Sequence, residues 1–181
     1  MTPAVEVAAA TAVRDAAGAR TVLEAFYRAV NTADLTLLRA VWLDDPLVQL
    51  IPPHRPGLRG PAAIAAHYRM LLSRGRGLRL EPENFVEIGT DRFVIFAGHE
   101  RGAYLAGHDT VPLHQRVTYC CAHQAAVGGW RLVYGHASLI EPAMLARFQR
   151  AATQATSPGR ARHPDRMGAD SDDGRAERDQ C

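Results

Sequence analysis

The chain has 181 residues, of which 47% are hydrophobic and 22% charged, enough for one domain with a sizeable core. No apolar run approaches the roughly 18–20 residues of a membrane span. The formal net charge is +2 and the 21 basic residues, all arginine, form no like-charge block, so neither a membrane span nor an electrostatic grip on nucleic acid is expected.

Residues 1–19 read as a flexible, Ala-rich lead with Glu6 where a secretory signal would be apolar. From 20 to 33, Val22, Phe26 and Val30 recur at four-residue steps, with Leu23 and Tyr27 widening the stripe, which predicts an amphipathic helix. Asp34 then stands as N-cap of a second helix that buries Leu35, Leu38 and Trp42. Leu47–Ile51 is a short strand, and Pro52-Pro53-His54-Arg55-Pro56-Gly57 a loop. Pro61 suits the first position of a third helix, with Ile64, Tyr68, Leu71 and Leu72 inward. Four strands follow, at about 78–88 (broken near Pro82), 92–104, 113–126 and 129–140, separated by turn residues such as Gly89-Thr90-Asp91 and Val127-Gly128-Gly129. Pro142 opens a last helix, 142–154. From 156 to 181 the chain is polar and is expected to be disordered, because it buries too little to offset ordering entropy.

The three cysteines, Cys120, Cys121 and Cys181, have neither metal-ligand spacing nor an even count. Reduced thiols, no bound metal and a cytoplasmic setting are expected. The element order predicts an α+β domain over 20–155, with helices covering one face of a curved antiparallel sheet.

Three local patterns carry a family likeness. They are Phe26-Tyr27-Arg28-Ala29-Val30-Asn31-Thr32-Ala33-Asp34-Leu35, then Leu58-Arg59-Gly60-Pro61-Ala62-Ala63-Ile64, and the Arg116-x-Thr118 strand followed by Trp130-Arg131-Leu132-Val133-x-x-His136-x-Ser138. In this order and spacing the chain resembles the nuclear transport factor 2-like superfamily, in its SnoaL-like and ketosteroid-isomerase-like branches. The resemblance implies a cone-shaped α+β barrel, three N-terminal helices on a curved sheet, a pocket between them and frequent homodimers. It does not fix one activity. Ile51 stands where the isomerases place a catalytic Asp, Phe26 where they place an oxyanion-binding Tyr, and Thr118 where epoxide-hydrolase-like members place an Asp after Arg.

Strand alternation puts Trp130, Leu132, Tyr134, His136 and Ser138 on one face. On that reading His136 moves a proton, and Arg116 steadies negative charge. Tyr27, Trp42, Tyr68, His99, Thr118, Trp130, Tyr134 and Ser138 line the ligand. In His99-Glu100 one side chain turns inward, and either is a base if buried, although a solvated strand end is the plainer reading. The expected function is cofactor-free acid–base chemistry of isomerase, cyclase or hydrolase type on a compact, apolar, carbonyl-bearing small molecule. The alternative is a non-catalytic ligand-binding or dimerisation domain. Val117, Tyr119, Cys121, Val133, Ala137 and Leu139 would leave the other sheet face apolar, so a two-fold homodimer through that face is expected.

Overall fold

The computed structural model describes residues 16–73 and 75–154. Helix α1 covers Ala16–Thr32. It starts inside the stretch expected to be a flexible lead, because buried Gly18 and Ala19 extend the apolar stripe by one turn. The rest of that lead and the polar tail lie outside the described residues. Helix α2 is Leu35–Val41. Strands β1 and β2 are Gln49–Ile51 and Leu58–Arg59, and helix α3 is Pro61–Leu71. Strands β3 to β6 are Arg76–Gly89, Phe93–Ala106, Asp109–Gln124 and Gly129–Leu139. Helix α4 is Pro142–Gln154. Among these helices none is long and apolar enough to cross a membrane.

Asp34 caps α2 as its position predicts, its carboxylate accepting from the amides of Thr36 at 3.0 Å and Leu37 at 2.9 Å. Asp34→Ala is expected to cost about 1 kcal/mol of stability in a denaturant titration. Asn31, at the end of α1, clamps the helix to the sheet. Its side-chain amide donates to the Leu80 carbonyl at 2.9 Å, and its carbonyl accepts from the Leu80 amide at 2.8 Å.

The six strands form one curved, open sheet in the order β2-β1-β6-β5-β4-β3. It is not purely antiparallel. The chain leaving α2 bonds to β6 at once, with the Leu43 amide on the Leu132 carbonyl at 3.0 Å, so β1 runs parallel to β6. Pro82 does not break β3. It pairs with Glu100 and is tolerated because β3 is an edge strand. The irregularity falls instead between Glu83 and Val86, where Asn84 takes a φ of 54°, a left-handed value that asparagine accepts more readily than most residues. The apolar side chains of α1, α2 and α3 pack on the inner sheet face to form the core, and α4 packs against β4, β5 and β6.

A bulge in β6 decides which residues face that core. Cys120 pairs with Tyr134 but Cys121 pairs with Leu132, which leaves Val133 as an extra residue. An extra residue inverts strand alternation beyond it. Trp130 and Leu132 are therefore buried before the bulge, and Gly135 and Ala137 after it. On β5 the alternation is unbroken, with Gln115, Val117, Tyr119 and Cys121 all inward. Val117, Tyr119, Cys121 and Ala137, expected on an outer apolar face, are core residues.

Candidate functional site

One carboxylate lies at the centre of the inner face. Glu100, 0% exposed, is reached by three side chains from two other elements. The Tyr27 hydroxyl of α1 donates to Oε1 at 2.6 Å and the Tyr119 hydroxyl of β5 to the same oxygen at 2.9 Å. The Gln115 amide of β5 donates to Oε2. Burial raises the Glu100 pKa, and the hydrogen bonds from Tyr27, Gln115 and Tyr119 oppose that rise. The same burial, followed by the Glu100 charge, raises the pKa of Tyr27, Tyr68 and Tyr119, so these phenols stay protonated. Gly102, two residues along the same face of β4, is required there, because a Cβ would sit 1.8 Å from the Arg79 carbonyl oxygen.

Tyr119 and Gln115 also form part of the wall of a cavity of about 40 Å³ between helices and sheet, space for roughly three water molecules by that measure. Its apolar wall includes Leu50, Leu78, Leu80, Leu113 and Ala137. Its remaining polar wall is His54, from the proline loop, with His67 and Tyr68 of α3, and Phe148 of α4 closes the end. The two imidazoles stack with ring centroids 5.3 Å apart and planes at 26°, and Phe148 meets the His54 ring edge-on at 4.6 Å. His67 is 3% exposed, yet its Nδ1 and both ring nitrogens of His54 are buried without a hydrogen-bond partner. Burial lowers the His67 pKa to about 3, helped by the charges of His54 and Arg55. Burial and then Arg55 lower that of His54 to about 4. Both rings are therefore neutral at pH 7, and each has one N–H to donate and one nitrogen to accept.

Of the residues expected at the site, Tyr68 lines this cavity and Tyr27 stands behind it on Glu100. Trp42 is buried elsewhere, beside Leu38 and Ile64, and Trp130 lies in the core under the edge of His123 at 5.6 Å. The expected catalytic pair, His136 and Arg116, stands on the outer face with His99, Thr118, Tyr134 and Ser138. Register shows it: His136 pairs with Thr118, Ser138 and His99 with Arg116, and Tyr134 with Cys120, and paired residues share a face. The Val133 bulge is the cause for β6. On β5, Arg116 and Thr118 alternate with the buried odd-numbered residues. His54, His67, Gln115 and Tyr119 were not among the residues expected at the site. His67 carried a signal, since Ile64, His67, Tyr68 and Leu71 make one helical stripe.

A family profile described as a SnoaL-like domain matches residues 19–142. No curated protein matches the sequence. Among solved structures, a candidate calcium/calmodulin-dependent protein kinase type II association domain from Thiobacillus denitrificans is 31% identical, with 67% of this chain and 94% of that one covered at a TM-score of 0.56. A candidate dehydratase of the NTF2-like family from Streptomyces avermitilis is 20% identical, covering 66% and 91% at 0.59. A ketosteroid isomerase-like protein from Erwinia carotovora atroseptica is 21% identical, covering 68% and 94% at 0.57. These last two likenesses are in fold.

Proposed function

The chain belongs to the SnoaL-like family, within the NTF2-like fold, and on that footing we propose that it binds a compact, mostly apolar carbonyl compound in the inner cavity and moves a proton at the carbon next to the carbonyl. The observation that carries this reading is the pairing of two neutral, unpartnered imidazoles with a Tyr119–Glu100 hydrogen bond across one small cavity. A neutral imidazole N–H, from His67 or His54, holds the carbonyl oxygen and the negative charge that develops there. The Tyr119 oxygen takes the substrate proton as its own hydroxyl proton passes to Oε1 of Glu100. The raised pKa of Glu100 makes its neutral form accessible for that transfer. The reverse passage returns a proton to the substrate, and the sequence needs no cofactor. Free Cys120 and Cys121 fit a reducing, cytoplasmic setting.

The test uses 2-octanone in D2O near neutral pH. Deuterium uptake next to the carbonyl, followed by NMR, is expected to exceed that of a heat-inactivated control. Uptake at the control rate would refute the proton-transfer reading.

A second reading, binding or association without turnover, draws on the small volume of the cavity and on the association-domain description of the relative from Thiobacillus denitrificans. Homodimerisation is compatible with either reading and moves to different residues from those first expected. Val86, Ile88 and Phe93 are 58%, 61% and 40% exposed, and Ile88, Ile95, Cys120 and Tyr134 form one row across the outer face. Light scattering at micromolar concentration should give a dimer mass, and Ile88→Glu should shift it toward monomer. A monomeric mass for the unaltered protein would count against the interface.

A further inference from the structure

His54 lines two spaces. On one side is the inner cavity, and on the other an open groove of about 470 Å³ bordered by Arg55, Pro56, Met70, Gln149, Ala152 and Thr153. The two spaces differ in chemistry. The inner one is walled by aliphatic side chains, Phe148 and uncharged polar groups, with the Glu100 carboxylate behind it. Among the described residues the groove has no acidic side chain in its wall, and the arginine at its edge makes no ion pair. Arg55 follows His54 in the chain and borders the same groove, so the cation stands on the side of His54 away from the inner cavity, and its charge is felt at both imidazoles. The His54 ring is held there by ring contacts, stacked on His67 and edge-on to Phe148, with both nitrogens unpartnered.

We propose that the ligand spans both spaces: it is an oxo-carboxylic acid whose ketone end enters the inner cavity past His54 and whose carboxylate is bound by Arg55 in the groove. The reading rests on the proposed carbonyl site and adds to it the chemical class of the far end. A neutral cavity alone would select any small ketone. A guanidinium at its mouth, with no ion-pair partner among the described residues, adds a charge that such a ketone leaves unused, and an acid of suitable chain length answers it.

The experiment titrates the full chain by protein NMR with 7-oxooctanoate and with 2-octanone, which share the ketone end and chain length but differ in the terminal carboxylate. The acid is expected to bind tenfold tighter or better, with an advantage that shrinks as salt is added. In Arg55→Gln the ratio of the two dissociation constants should fall to about one; Arg55 is exposed on a loop, so the fold should be preserved. Equal affinities in the unaltered protein, or a ratio that survives Arg55→Gln, would overturn the carboxylate subsite while leaving the carbonyl site standing. Failure of both compounds to bind would overturn the two together.

Discussion

Glu100→Gln is expected to slow deuterium uptake into 2-octanone by about 10²–10⁴-fold, the usual range for removing a positioned acid–base group. An amide has nearly the same shape as the carboxylate and still accepts from Tyr27 and Tyr119, but it takes no proton from Tyr119. Ketone affinity should change little, because Tyr119 and Gln115, rather than Glu100, form the cavity wall. Tyr119→Phe breaks the same path from the other side, removing the 2.9 Å contact to Oε1, and should lower the rate to a similar level. The double variant should be no slower than the worse single one, since two members of one relay are not additive. A Glu100→Gln protein that exchanges at the unaltered rate would remove Glu100 from the chemistry.

Acid unfolding should be governed largely by the two imidazoles. The folded His67 has a pKa of about 3 against an ordinary 6.5. Between those values the unfolded chain binds more protons than the folded one, so stability rises with pH. The contribution is complete above about pH 6.5 and is lost as pH falls toward 3. At about 1.4 kcal/mol per pH unit, His67 accounts for on the order of 5 kcal/mol of acid destabilisation. His54, at about 4, acts in the same direction but less strongly, because its half-buried ring is partly screened. Glu100 acts with the opposite sign. Its folded pKa is raised above 4.5, so stability linked to it is full below that pH and declines as pH climbs through the folded value. His67→Phe, which keeps a flat ring against His54, should flatten the stability profile between pH 3 and 6.5. An unchanged profile in denaturant titrations across that range would show that His67 does not titrate on unfolding.

The elements were legible because each had a local cause. Four-residue spacing marked α1, a capping carboxylate marked α2, Pro61 marked α3, and turn residues separated the long strands. Two non-local features set the limits. The parallel seating of β1 on β6 depends on where the chain leaving α2 meets Leu132, which no local pattern records. The facing of Tyr134, His136 and Ser138 depends on a one-residue bulge inside a run that alternates well on paper. Glu100 was readable as one of two choices, His99 or Glu100. Only the pairing of β4 with β5, which brings Gln115 and Tyr119 to the same face, decides between them. His54 was hidden in a loop whose prolines announce irregular backbone without saying where its side chains turn.

The bulge at Val133 also makes the identity of the β6 cavity wall depend on pairing register as well as composition. Substitution at Ala137 alters one point of the wall. Deleting Val133 would remove the bulge and leave every facing as it is, with Leu132, Gly135 and Ala137 toward the helices and Tyr134, His136 and Ser138 away from them, whereas pairing Val133 in register would turn Tyr134, His136 and Ser138 inward. Loss of the bulge with Val133 retained would exchange a small lining for a bulky hydrogen-bonding one in one step, with the strand's own sequence untouched. Related chains should therefore be sorted first by how the residues after Leu132 pair with β5, and only then by which side chains they carry.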